Sequence, residues 1–71
     1  MPNNELINHI SYYRKQRGLS QQELADLIAV SRKTISTIET GRFTPSVVIA
    51  LKLSKVLEKT VEELFHLTNK P

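Results

Sequence analysis

Apolar residues recur along the chain at the spacing of helices. In the first stretch, Leu6, Ile10 and Tyr13 share one helical face and Gly18 interrupts the pattern. This predicts a first helix from Asn4 to Arg17. Four more stretches with the same period follow, each separated from the next by a short polar or glycine-containing break. The pattern predicts an all-α fold of five short helices around one core.

Two of these helices begin at capping boxes. The sequence Ser-Gln-Gln-Glu at residues 20–23 lets the serine side chain accept the glutamate amide hydrogen, while the glutamate carboxylate returns to the serine amide. Residues 60–63, Thr-Val-Glu-Glu, repeat this arrangement. We therefore predict a second helix over residues 20–29 and a fifth helix from residue 60.

The segment SRKTISTIETG, which starts at Ser31, is rich in β-branched and hydroxyl side chains, and on propensity alone this favours a strand. Ser31 nevertheless suits a helix N-cap, and Gly41 suits the position after a helix C-terminus. Ile35 and Ile38 lie three residues apart, as one buried stripe requires. We predict a third helix over residues 31–40, held by packing that overrides propensity.

The fourth helix is predicted to begin after Pro45, which restarts the chain. Residues 67–71 are predicted to form a frayed tail, and residues 1–71 to form one domain. The predicted inner face of the fourth helix consists of Val47, Ala50, Leu51, Ser54 and Leu57, and its wet face of Lys52, Lys55 and Lys59.

Positive charge is concentrated in the first part of the chain. The net charge is +3 and the pI is near 9.5. Residues 1–55 hold eight Lys and Arg against four Asp and Glu, whereas residues 56–71 hold two against three. This distribution favours an anionic partner for the main body of the domain.

Other classes of function find little support in the sequence. No apolar run approaches the roughly 20 residues of a membrane-spanning helix, and the first ten residues lack the pattern of a signal peptide, so we expect a soluble cytoplasmic protein. Cysteine is absent, and His9 and His66 have no metal-ligand spacing, so no metal site is predicted. No nucleophile–base pair is evident, and we expect neither an enzyme nor a cofactor nor a small-molecule ligand.

The second and third helices must cross steeply, because the turn between them is too short for an antiparallel return. With Ile35 and Ile38 facing inward, the third helix presents cations and short hydrogen-bonding side chains to solvent. Cations at a helix N-terminus oppose the helix dipole, and an anionic ligand would explain them. Such a helix fits the major groove of DNA. The outward side chains are Arg32, Lys33, Ser36 and Thr37.

These features together resemble a known family. The segment LSQQELADLIAVSRKTISTIETGRFTPS, followed by LKLSKVLEKTVEELF, is similar to the Cro/cI-type helix-turn-helix regulators, also called the xenobiotic-response-element family. The similarity extends from Ile10 to Phe65. It implies a λ-repressor-like fold whose third helix, residues 31–40, enters the major groove of double-stranded DNA.

The resemblance also assigns roles to individual side chains. Arg14 and Glu39 are expected to form an internal salt bridge and are therefore excluded from reading bases. Two positions depart from the family pattern, because Ala29 and Glu58 stand where the family favours glycine. The base contacts implied are Arg32, Lys33, Ser36 and Thr37, and the contacts to the DNA backbone are Gln21, Ser31, Thr34, Arg42, Phe43 and Thr44.

A homodimer is expected, because operators read by this motif are usually two-fold, with half-sites about 34 Å apart. The predicted interface lies on the C-terminal helix and the loop beside it. The same apolar residues could instead close the core of a single chain. They are Val61, Leu64, Phe65 and Leu67.

The sequence therefore predicts a sequence-specific DNA-binding transcriptional regulator, acting as a repressor on a palindromic operator. One alternative is the DNA-binding antitoxin of a toxin–antitoxin pair, which would also bind a toxin. Another is a protein-interaction module whose third helix docks on a protein.

Overall fold

The computed structural model describes residues 5–68. Within this range no helix is long and apolar enough to cross a membrane. Five helices are preceded and followed by a short strand, so the predicted all-α fold is found with a small sheet added. In chain order the elements are β1 (Leu6–Asn8), α1 (Ile10–Gln16), α2 (Gln21–Leu27), α3 (Arg32–Glu39), α4 (Val47–Leu57), α5 (Val61–Leu64) and β2 (Phe65–Leu67).

Side-chain caps fix the start of four helices. Both predicted capping boxes are present, at Ser20 before α2 and at Thr60 before α5. Ser31 caps α3 by accepting from the Thr34 amide, as predicted, and Ser46 caps α4 in the same way. Each hydroxyl satisfies one of the backbone N–H groups that a helix N-terminus leaves without a partner.

Four helices end with the same backbone arrangement, in which an amide bonds to the carbonyl five residues earlier. The residue before that amide has positive φ in each case. It is Gly18 after α1 and Gly41 after α3, but Ala29 after α2 and Glu58 after α4. The two departures from the family pattern therefore fall on left-handed positions, each of which costs a residue with a Cβ about 1 kcal/mol.

The two strands correct the prediction at both ends of the chain. The first helix begins at Ile10, because Leu6–Asn8 pairs antiparallel with Phe65–Leu67. The predicted start at Asn4 lies outside the described residues. Leu67 is also not in a frayed tail, and the Thr68 amide donates to the Glu5 carbonyl at 2.9 Å. Residues 69–71 lie outside the described range.

One apolar cluster joins all five helices and β2. From α4, Leu53 and Leu57 are fully buried in this cluster, and Leu57 is the last residue of the helix. The predicted inner face was therefore wrong for Val47 and Leu51, which are exposed. The buried cluster consists of Ile10, Leu24, Ala25, Ile28, Ile35, Ile38, Leu53, Leu57, Leu64 and Phe65.

Candidate nucleic-acid interface

The turn between α2 and α3 sets the angle at which α3 leaves the core. It contains Ala29 at φ +60°, and the Val30 amide donates to the Ala25 carbonyl at 3.0 Å. α3 then packs against both α2 and α1, with Ile35 and Ile38 fully buried. The opposite side of α3 is left to solvent, which is the arrangement of a helix-turn-helix motif.

The solvent side of α3 carries the four side chains predicted to contact bases. Arg32 and Lys33 in the first turn are exposed, whereas Ser36 and Thr37 are half-buried. Thr40, at the C-cap, is also exposed on this side. It was not among the outward side chains predicted from the sequence, although it lies seven residues after Lys33 and thus on the same helical face.

Hydroxyl groups on this face differ in what they still offer a ligand. Thr37 Oγ1 donates to the carbonyls of Lys33 and Thr34, both at 3.0 Å, so its hydrogen is used within the helix. The hydroxyls of Ser31 and Thr34 lie 3.0 Å apart and share one hydrogen bond. Thr37 therefore presents a methyl group and acceptor lone pairs to a ligand, whereas Ser31 and Thr34 form a paired group at the helix N-terminus.

The acidic residue of α3 is withdrawn from the solvent side. Glu39 accepts from Arg14 through two bonds, with Nε at 2.7 Å and Nη2 at 3.3 Å. Arg14 Nη1 also donates to the Leu19 carbonyl at 2.8 Å. This is the salt bridge that the family resemblance implied, and both side chains are at least nine-tenths buried. The outward face of α3 consequently carries positive charge alone.

Gln21 contributes to the same cluster. Its Nε2 donates to Glu39 Oε1 at 3.0 Å, which fixes the side chain at the start of α2. The amide group has two hydrogens, so one remains for a second acceptor. The predicted phosphate contact from Gln21 is thus compatible with its internal bond and stays a proposal.

A further polar anchor reaches α3 from the sheet. Asn8 Nδ2 donates to the Ile38 carbonyl at 3.0 Å, and Asn8 Oδ1 accepts from the Ile10 amide at 3.2 Å. One side chain thereby connects β1, the start of α1 and the last turn of α3. Sequence reasoning missed it, because the bond to Ile38 joins residues 30 positions apart.

The loop after α3 places more side chains beside the helix. Gly41 has φ +78°, and the Arg42 amide donates to the Thr37 carbonyl at 3.0 Å, so the chain turns away directly after the helix. Arg42, Phe43 and Thr44 are all exposed in this loop. The structure thus brings the predicted backbone contacts next to α3.

The predicted dimer interface is largely internal. Leu64 is fully buried and Phe65 is 7% exposed, because both belong to the core of the chain. They close the core, which was the alternative interpretation of this segment. Val61 is half-buried and packs against the core, and Leu67 is exposed. The C-terminal segment therefore offers a second copy much less apolar surface than predicted.

The two histidines, which are distant in sequence, lie side by side. The ring centroids of His9 and His66 are 4.8 Å apart, and the ring planes are tilted by 51°. No third potential ligand joins them, since residues 5–68 contain no group of three or more His, Cys, Asp or Glu able to hold a metal ion.

The fold and this face define a helix-turn-helix DNA-binding domain. The helix-turn-helix family model matches residues 10–64. An uncharacterised HTH-type transcriptional regulator of Methanocaldococcus jannaschii is 40% identical over 58 residues, covering 82% of this chain and 88% of that protein. Repressor protein C of Escherichia phage P2 is 35% identical over 66 residues, covering 93% of this chain and 67% of that protein.

Among solved structures, the restriction-modification controller protein C.AhdI of Aeromonas hydrophila superposes with a TM-score of 0.71 at 33% identity. The match covers 76% of this chain and 82% of that one. The chain belongs to the Cro/cI-type helix-turn-helix family, and it is a DNA-binding transcriptional regulator.

Proposed function

We propose that this chain represses transcription by binding a palindromic operator as a homodimer. The observation that carries the proposal is the outward face of α3, where Arg32 and Lys33 are exposed while Glu39 is turned into the protein. Cations at a helix N-terminus oppose the helix dipole, and the phosphates and base edges of DNA compensate for this.

The side chains on this face divide between reading bases and holding the backbone. Arg32 and Lys33 suit guanine, and Ser36 suits either base type, whereas Thr37 offers its methyl group and an acceptor. Gln21, Ser31 and Thr34, at the N-termini of α2 and α3, suit phosphates, since helix N-termini favour anions. Arg42, Phe43 and Thr44 follow the backbone on the other side of α3.

Repression follows from where such a domain binds rather than from an activity of its own. A dimer that covers an operator within a promoter excludes other proteins from it. The phage P2 relative is named a repressor, which supports this direction of regulation for the present chain. Such a regulator acts in the compartment that holds the chromosome, which supports the expected cytoplasmic location.

Selection of bound duplexes from a random DNA library tests the proposal. We expect a two-fold consensus with half-sites about one helical turn apart, and an affinity for it that falls steeply as salt rises. An equal affinity for the selected duplex and bulk DNA would contradict sequence-specific recognition. Salt-insensitive binding to a protein, with no DNA bound, would instead favour the interaction module.

A further inference from the structure

Two threonines on the outward face of α3 use their hydroxyl hydrogens within the helix. Thr37 Oγ1 lies 3.0 Å from the carbonyl oxygens of both Lys33 and Thr34, one turn back along the helix. Thr40 repeats the arrangement, with its Oγ1 3.2 Å from the Thr37 carbonyl oxygen. A threonine that bonds to the preceding turn holds its oxygen against the helix backbone. The γ-methyl group is therefore the part of each side chain that is left for a ligand.

Ser36 differs from these threonines although it lies on the same face. Within residues 5–68, no hydrogen bond engages the Ser36 hydroxyl, so its hydrogen is available to a ligand. A free hydroxyl can donate or accept and suits either base type. Donation to base edges is thus left to Ser36 and to the exposed cations Arg32 and Lys33.

The two threonine methyl groups make one part of the outward face apolar. Positions 37 and 40 are neighbours on a helix, with Cβ atoms about 5–6 Å apart. Thr37 is half-buried and Thr40 is exposed. Among the four bases of DNA, thymine alone carries a C5-methyl group in the major groove, and a threonine methyl can contact it. The chemistry of this part of α3 matches a methyl group better than a hydrogen-bonding base edge.

We propose that Thr37 determines specificity by contacting the C5-methyl group of a pyrimidine in the major groove. This inference rests on the proposed function, because it requires α3 to lie in that groove. Thymine and 5-methylcytosine both carry the group, whereas uracil and cytosine lack it. Burial of one methyl group should change the affinity about fourfold.

Recognition of a methyl group makes binding depend on modification of the DNA. Where an operator has cytosine at the position that Thr37 contacts, methylation of that base at C5 supplies the missing group. Binding should then strengthen about fourfold without any change in the base sequence. The same side chain would thus allow methylation of the operator to regulate the protein.

Base analogues in the selected operator test the contact. Each thymine of one half-site is replaced in turn by uracil, which removes only the C5-methyl group. We expect the affinity, measured by fluorescence anisotropy, to fall about fourfold at one position. At that position 5-methylcytosine should bind more tightly than cytosine by a similar factor.

Substitutions on α3 identify the side chain that meets the methyl group. Thr37→Ser keeps a hydroxyl that can bond to the preceding turn but lacks the γ-methyl, so thymine and uracil should bind equally at the sensitive position. Thr37→Val keeps the methyl and should retain the preference for thymine. Ser36→Ala is the matched control on the same face and should leave the ratio of thymine to uracil affinity at its wild-type value. Circular dichroism checks that each variant folds.

The outcomes separate this inference from the proposed function. If the preference for thymine over uracil persists in Thr37→Ser, or if neither uracil nor cytosine methylation changes affinity at any position, the inference is overturned while sequence recognition stands. A preference for adenine or cytosine that Thr37→Val abolishes, without sensitivity to uracil, would also overturn it and assign the Thr37 oxygen as a hydrogen-bond acceptor. If the wild-type chain prefers no duplex at all, the proposed function fails and the inference fails with it.

Discussion

Helices α3 and α4 lie next to each other in the chain and are held in different ways. α3 has eight residues, of which the five at 34–38 are poor helix formers, and it is anchored by Ile35 and Ile38 and by directional polar bonds to Glu39 and to the Ile38 carbonyl. α4 is eleven mostly apolar residues, anchored by the burial of Leu53 and Leu57. Hydrogen bonds and ion pairs depend on orientation, whereas apolar burial largely does not.

The outward faces of the two helices also differ in how strongly their contacts would depend on orientation. α3 presents cations and short hydrogen-bonding groups, whose value to a ligand depends on where the helix points. α4 presents an apolar surface, and apolar burial depends little on orientation. The difference implies that α3 needs to be oriented by the rest of the domain, whereas α4 only needs to be held in the core.

Breaking the Arg14–Glu39 ion pair, which holds α3, should lower the free energy of unfolding more than the other substitutions below. Glu39→Gln leaves the Arg14 guanidinium buried without a charged partner, so we expect the free energy of unfolding to fall by about 3–5 kcal/mol in urea denaturation. Lys55→Gln on the exposed side of α4 is the control and should change it by less than about 0.5 kcal/mol.

The double variant Arg14→Met with Glu39→Leu sharpens the result. Replacing both charges by apolar groups should recover most of the lost stability. If the ion pair orients α3, operator affinity should recover less than stability does. Equal recovery of both would show that the pair contributes only to folding.

Substitution of Asn8 should cause the next largest loss of stability, because this side chain joins α3 to the sheet. Asn8→Ala removes both of its hydrogen bonds, so the free energy of unfolding should fall by about 1–3 kcal/mol. Asn8→Asp keeps an acceptor for the Ile10 amide and loses the donor to the Ile38 carbonyl. If the bond to α3 matters, Asn8→Asp should weaken operator binding as well as stability; wild-type binding by this variant would limit Asn8 to a role at α1.

The residues that follow α3 and α4 allow the cost of the left-handed backbone to be compared directly, and the expected effects on stability are smaller. Gly41 and Glu58 both have positive φ, +78° and +56°, after helices that end in the same way. Glu58→Gly should raise the free energy of unfolding by up to about 1 kcal/mol, and Gly41→Ala should lower it by a similar amount. A Cβ at Gly41 would meet nothing within 4 Å, so the cost there is conformational.

One side effect of Glu58→Gly has to be considered, and Ala29→Gly provides a second test of the same conformation. Glu58→Gly also removes an exposed ion pair with Arg17 at 3.4 Å, which contributes little to stability. Ala29→Gly in the turn before α3 should stabilise by a similar amount, since it relieves the same conformation. A loss of stability in both glycine variants would show that the left-handed positions are not strained.

The starts of α2, α3, α4 and α5 could be predicted because their signals are local. Ser20, Ser31 and Thr60 all cap helices, and Gly41 follows α3 as expected. The ion pair across 25 residues was reached only through the family resemblance. The hydrogen bonds that could be predicted from the residues alone are therefore those between neighbours in the chain.

The strands and the inner face of α4 could not be predicted for a related reason. β1 was assigned to a helix, because Leu6 and Ile10 also fit a helical spacing and its partner strand lies at the other end of the chain. α4 has apolar residues on every side, so the sequence does not distinguish the side that faces the core from the exposed side with Val47, Val48 and Leu51. Long-range packing decides both. It also buries Leu64 and Phe65 in the core, although both were predicted to contact a second copy.

If the outward face of α3 reads DNA sequence, Arg32→Ala should change base preference on the selected operator. Affinities of the wild-type chain and the variant would be measured for every single-base-pair change in one half-site. We expect a loss of about 1–3 kcal/mol on the selected operator, together with a loss of base preference at one or two neighbouring positions. A uniform loss across all sequences would contradict base reading by Arg32 and reassign this side chain to the phosphate backbone.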